Sequence, residues 1–91
     1  MYSAIRTTKF KKDVKRLAKR GKDIDKLTAV IKLLAAGEKL PPKYRDHALT
    51  GNRQGLRDCH IEPDWVLIYK IDHDVLVLLL TETGSHSDLS L

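Results

Sequence analysis

Three of the four histidines in this chain fall in short polar segments, two of which also carry carboxylates. These are Asp46-His47-Ala48-Leu49, Arg57-Asp58-Cys59-His60-Ile61-Glu62-Pro63-Asp64-Trp65, and Thr83-Gly84-Ser85-His86. Imidazole both takes and gives a proton near neutral pH. RNA brings its own nucleophile, the 2′-hydroxyl, so its cleavage needs only a base for that proton, an acid for the leaving 5′-oxygen and positive charge for the phosphate oxygens. Several histidines and a carboxylate in a basic chain therefore predict acid–base chemistry on a phosphodiester. His73, between Asp72 and Asp74 in a turn, lies outside these segments and reads as surface.

The charge supports such a partner. Between Arg6 and Lys22 nine bases face Asp13 alone, a local excess of eight, while the rest of the chain is net −3 and the whole is +5. A run like this is often just a solvated helix face, but its field is also strong enough to gather a polyphosphate. The expected contacts are Lys9, Lys11, Lys12, Lys15 and Arg16, as a group. No apolar run approaches a membrane span, the N-terminus lacks a signal-like stretch, and the single Cys59 suits a reducing compartment, so a cytoplasmic location is expected.

The elements that must position these groups read as one domain over residues 1–91. Tyr2 to Arg6 forms a short strand. Thr7 or Thr8 caps a helix whose apolar face is Phe10, Val14, Leu17 and Ala18, and Gly21 ends it. A second helix begins near Asp23, with Ile24, Leu27, Val30, Ile31 and Leu34 on one side, and stops at Gly37 before Pro41-Pro42. Lys43 to Gln54 reads as a long loop. Strands follow at Leu56–Ile61, Trp65–Ile71 and Val75–Thr81, the last apolar on both parities and so expected to be buried on both faces. The expectation is an α+β fold in the order β-α-α-β-β-β, a twisted antiparallel sheet with a helical hairpin on one face.

Within that frame Tyr44-Arg45-Asp46-His47-Ala48-Leu49-Thr50-Gly51, the run from Gly55 to Lys70, and Thr83-Gly84-Ser85-His86-Ser87-Asp88-Leu89 resemble the YafQ branch of the RelE/ParE superfamily of bacterial toxins. The likeness covers nearly the whole chain, and the order of elements is also the family's. It implies a ribosome-dependent endoribonuclease that cuts messenger RNA in the decoding site of the 70S ribosome, with no cofactor and no metal. It also implies a cognate antitoxin with a ribbon-helix-helix DNA-binding half, through which alone the toxin would meet operator DNA.

The resemblance carries function onto His47, His60, Asp64 and His86. Two of the histidines would be base and acid, in an order the sequence leaves open, with Asp64 orienting an imidazole or stabilising its protonated form. Each residue alone has a plainer reading: His47 exposed in a loop, His60 packed on its strand, Asp64 a turn former, His86 solvated. Trp65 reads first as core, although an aromatic beside the site could stack on a base. Arg57, Arg53 and Arg45 are candidate phosphate contacts, and Arg57 is also placed to pair with Asp58 or Glu62.

Two departures from the family's pattern matter. Glu82 stands where the family often has an arginine before Thr-Gly-x-His, and Leu89 is followed by Ser90-Leu91 where the family commonly ends in Leu-Phe. A carboxylate at 82 implies an attenuated toxin, a site that recruits another base such as Arg45 or Arg57, or Glu82 itself as general base. Three rival functions remain: a ParE-like poison of DNA gyrase that cleaves nothing, a metal centre from Cys59, His60, His47 and His86, and a plain nucleic-acid-binding domain. The spacings match no zinc module, and Cys59 and His60 should point to opposite faces of a strand.

Overall fold

A computed structural model describes all residues from Met1 to Leu91. In it Ser3–Arg6 (β1) leads into helix α1 (Thr8–Lys19), where the Thr7 hydroxyl accepts from the Phe10 amide at 3.0 Å and so caps one of the orphan donors of the first turn. Asp23 caps α2 (Ile24–Ala35) through the Asp25 amide. Phe10 and Leu17 on α1, and Leu27, Val30, Ile31 and Leu34 on α2, are buried against one face of the sheet, as the spacing predicted. Each such side chain contributes about 2 kcal/mol on leaving water. Ala18, expected on the buried stripe, is exposed, and Asp13 is buried in its stead.

The sheet has five strands in the order β1-β5-β4-β3-β2, with β2 at His47–Ala48, β3 at Arg57–Glu62, β4 at Trp65–Asp72 and β5 at Val77–Gly84. The α+β class and the order of elements stand, but the sheet is mixed rather than antiparallel. β1 runs parallel to β5, with Ser3 beside Val77 and Arg6 beside Leu80. Strand direction leaves no mark in a four-residue apolar pattern, so only the assembled sheet shows it. β2 is likewise a new element inside the expected loop, pairing His47 with Asp58, and two short 3-10 turns flank it at Pro42–Tyr44 and Gly51–Arg53.

The strand buried on both faces is β4, whose Trp65 to Tyr69 are all covered. β5 begins two residues later than expected. Val75 and Leu76 lie in the turn, 65% and 49% exposed, and Leu76 has a left-handed φ of 55°. β5 lies between β4 and the short edge strand β1, and Val77 and Leu79 on its second face stay half-covered.

Covering the second face of β4 is the chain after Gly84, which folds back so that Leu89 packs on Val66 and Ile68, with Leu49 and Leu56 alongside. That fold-back needs a glycine. A Cβ on Gly84 would sit 2.9 Å from Asp88 Cβ and 3.0 Å from Arg16 Nη2. This face, away from the helices, is where the histidines gather.

Candidate active site

Alternation along β3 sends Cys59 and Ile61 into the helix-side core and Asp58 and His60 to the opposite face. His60 lies opposite Val66 on β4, and Val66 lies opposite Gly84 on β5, so the turn after Gly84 returns His86 directly above His60. The two rings lie 5.3 Å apart between centroids, tilted by 34°, with Nε2 facing Nε2 at 3.3 Å. Asp64, at the tip of the β3–β4 hairpin, fixes His86 twice through one carboxylate oxygen: the backbone amide donates to it at 2.9 Å and the ring Nδ1–H at 2.6 Å. With Nδ1 so engaged, Nε2 of His86 is the nitrogen left for chemistry.

His47 completes the cluster from β2. Its ring lies 6.5 Å from that of His60; Nδ1–H donates to the Arg45 carbonyl at 2.8 Å and sits 3.0 Å from Asp58 Oδ1. The four residues carried over from the family pattern, His47, His60, Asp64 and His86, are thus brought to one place from two strands and two turns.

Electrostatics separates their roles. Burial holds the His60 imidazole below its ordinary value, outweighing the pull of Asp58, and the nearby charges of His86, Arg45 and His47 push the same way. Asp64 is held below the usual carboxylate range by the amide and ring N–H of His86. Asp58 is raised by burial despite the three histidines around it. His60 Nδ1 and Asp58 Oδ1 are both buried without a hydrogen bond, which is why each is driven towards its neutral form.

The remaining expected residues divide. Trp65 is fully buried on the helix side and its indole N–H donates to Thr83 Oγ1 at 3.0 Å, so it is core and has no face for a base. Arg57 points to the helix side and pairs with neither Asp58 nor Glu62; its Nε and Nη2 donate to Asp46 at 3.3 Å each, where the Tyr69 hydroxyl also donates. Glu62 instead takes Lys22 and Lys26, at 3.0 and 2.9 Å. Arg53 donates to Glu82 at 3.3 Å and to the Leu89 carbonyl. Glu82 also lies 3.5 Å from Lys9, so its carboxylate is occupied by two cations. Arg45 is exposed, takes part in no ion pair, and directs its charge at His60.

Helix α1 is not uniformly a solvated charge face. Lys9 and Arg16 turn inward to the buried Asp13, at 3.0 and 2.8 Å, while Lys11, Lys12 and Lys15 remain exposed without a carboxylate partner. Asp13 also accepts the Thr83 amide at 3.1 Å, and Arg16 donates to the Thr83 carbonyl at 3.3 Å. Arg20 holds Asp88 at 2.8 Å, and Asp88 in turn accepts the Ser85 amide. Sequence reasoning missed this clamp on the His86 arm. Its legible signal was an acid three residues after Phe10 and four before Leu17, in the middle of an apolar stripe.

Cys59 faces away from the histidines, and burial pushes its thiol up to about 12. His73 hydrogen-bonds the Tyr2 hydroxyl at 2.6 Å, on the edge remote from the site.

Comparison with known proteins shows the family and the fold. Residues 2–91 match the family described as bacterial toxin of type II toxin–antitoxin system, YafQ. Over 81 residues, 88% of this chain and 86% of the relative, 44% are identical to the mRNA interferase toxin YafQ of Escherichia coli K12. The crystal structure of the E. coli DinJ–YafQ complex contains a chain that superimposes with a TM-score of 0.90 at 40% identity, covering 98% of each. A metal-bound toxin from Helicobacter pylori superimposes with a TM-score of 0.91 at 42% identity, covering 98% of this chain and 99% of that one.

Proposed function

This chain belongs to the YafQ family of type II toxins, and from that premise we propose that it is a ribosome-dependent endoribonuclease of the RelE/ParE kind that cuts translated messenger RNA by metal-independent acid–base attack of the 2′-hydroxyl. The observation that carries the reading is the pair of facing Nε2 atoms of His60 and His86, 3.3 Å apart, with His86 held from behind by Asp64.

His60, kept from protonation by burial, takes the proton of the attacking 2′-hydroxyl. As the 2′-oxygen bonds to phosphorus, the P–O5′ bond breaks and His86 protonates the departing 5′-oxygen. The products are a 2′,3′-cyclic phosphate and a 5′-hydroxyl, and no water or metal enters the step. The ionised Asp64 stabilises the proton-bearing form of His86 and sets its tautomer. Arg45 supplies the positive charge on the phosphate oxygens, the role left open by Glu82, whose own charge Arg53 and Lys9 offset. Of the three readings of Glu82, recruitment of another base therefore has the best support.

Lys11, Lys12 and Lys15 meet ribosomal RNA through charge. A cognate antitoxin of the ribbon-helix-helix type neutralises the toxin in the cytoplasm and links it to operator DNA. No helix is long and apolar enough to cross a membrane.

Primer extension on a translated message in a cell-free system tests this, using the chain as written, Glu82→Arg and His86→Ala, with and without ribosomes and with EDTA. Discrete in-frame cuts from the chain as written, only with ribosomes and undiminished by EDTA, are expected. Cuts only from Glu82→Arg would mean an attenuated site. Growth arrest with no cuts from any variant would overturn the nuclease reading in favour of a non-catalytic poison such as a gyrase binder.

A further inference from the structure

Beside His60 the surface opens into a cleft of about 500 Å³ between α2 and the 3-10 turn at Pro42–Tyr44. Its wall includes Lys26, Lys43, Tyr44, Arg45, His60 and Glu62. His86 and Asp64 do not line it. Such a volume lies within the ordinary range for small-ligand sites.

The chemistry of the wall is that of a nucleotide seat. Lys43 and Arg45 are exposed cations with no carboxylate partner, and Lys26 shares Glu62 with Lys22. Tyr44 is a half-buried ring packed against the core, and the Lys43 ammonium lies over it 5.1 Å from its centroid, so an aromatic surface and a phosphate-seeking charge are held together in the wall. Arg45 is held in the left-handed region at φ 49°, where a non-glycine residue is strained. Its carbonyl is the acceptor for His47, so that conformation ties the cleft wall to the histidine cluster.

We propose that this cleft seats the nucleotide on the 5′ side of the cut, the one whose 2′-hydroxyl attacks, with its base against Tyr44 and its own 5′-phosphate on Lys43. The side follows from which histidine lines the cleft. His60 takes the proton of the 2′-hydroxyl and belongs to the upstream ribose, whereas His86 serves the 5′-oxygen of the downstream nucleotide and lies outside the wall. The assignment rests on the nuclease reading above. It adds to that reading the set of residues that grip the attacking nucleotide.

The test has two arms. In the first, the four nucleoside 3′,5′-bisphosphates, which resemble the upstream product with its own 5′-phosphate, are titrated into the free protein and followed by amide and histidine-ring NMR shifts, with inorganic phosphate as control. Saturable shifts at Lys43, Tyr44, Arg45 and the His60 ring are expected, weakened at least tenfold by Tyr44→Leu or Lys43→Glu and left intact by His73→Ala at the remote edge. Equal shifts with inorganic phosphate, or shifts confined to Ser85–Asp88, would overturn the proposal.

In the second arm, Tyr44→Leu and Lys43→Glu are assayed for cleavage on ribosomes. A KM raised at least tenfold with kcat changed less, or altered preference for the base 5′ of the cut, is expected. Unchanged KM and cut sites in both variants, folded by thermal melt, would overturn the cleft assignment and leave the nuclease reading standing. Absence of cutting by the chain as written would overturn both.

Discussion

His86 rides on a turn gripped by Asp13 and Arg16 of α1 and by Arg20 at its C-cap, whereas His47 rides on a two-residue strand tied down by Asp46, Arg57 and Tyr69. The first arm is anchored through the interior. Asp13 is 1% exposed, its carboxylate takes Lys9, Arg16 and the Thr83 amide, and Arg20 together with the Ser85 amide holds Asp88 well below the usual carboxylate range. The second arm is anchored at the rim. Asp46 is part-exposed, its Arg57 contacts are long, and His47 stands half in solvent. In the proposed mechanism the proton donor to the leaving group, whose placement an error of about 1 Å would spoil, sits on the arm held from inside. The looser arm borders the cleft through which RNA would enter.

The largest expected effect is catalytic. His60→Ala and His86→Ala should each lower ribosome-dependent cleavage by about 10²- to 10⁴-fold, with thermal unfolding and antitoxin binding unchanged. Near-normal toxicity from either would sink the assignment of base and acid. His47→Ala should cost less than either, and an equal loss would erase the distinction between the arms.

The anchors themselves give the next contrast. Asp13→Ala strands Arg16 and the Thr83 amide and should destabilise the fold by about 3 kcal/mol, a fall in Tm of about 15 °C for a domain of this size. Asp46→Ala should cost less, about 1.5 kcal/mol, because Arg57 can turn to water and only the Tyr69 hydroxyl is left buried without a partner. Equal losses in calorimetry would break the comparison.

The pH dependence sharpens it further. His60 titrates below an ordinary imidazole when folded, so lowering the pH through that value protonates the base and cleavage falls. The acid limb should therefore lie below the usual imidazole range, and the His60 ring resonance should titrate with it. The linked effect on stability has the same sign. Between the folded and unfolded values the unfolded chain binds the extra proton, so His60 contributes stability above the unfolded value that is lost as pH falls. A midpoint at or above the free-imidazole value would refute the burial of His60 as the cause. The smallest effect belongs to the outward lysines. Lys11→Ala, Lys12→Ala or Lys15→Ala should each lower the salt slope of ribosome binding by about one, while cleavage at saturating ribosomes holds.

Much of this was legible in the chain. Helix faces, caps, the paired histidine segments and the order of elements all follow from local spacing, which is what a sequence records. The parallel pairing of β1 with β5 was not, because direction is a property of the whole sheet. β2 was not, because two residues carry no period. The most instructive miss is the charge run of α1. Lys9, Arg16 and Lys12 are alike as letters, yet two of them are drawn inward by Asp13 and the third faces solvent. Arg57 is similar, since its partner, Asp46, is eleven positions away and meets it only across β2 and β3.

The pairing of β1 with β5 also bears on timing. Ser3 finds its neighbour at Val77, and His86 finds His60 only once the turn after Gly84 has formed. A nascent chain leaving the ribosome therefore holds helices and a β3–β4 hairpin long before it holds a closed sheet or a facing pair of imidazoles, because contacts between distant parts of a chain form last. The nuclease would be inert throughout its own synthesis. If it acts on the ribosome as proposed, the machine that makes it is out of reach until β5 and the turn beyond it have emerged, an interval in which an antitoxin can already be waiting.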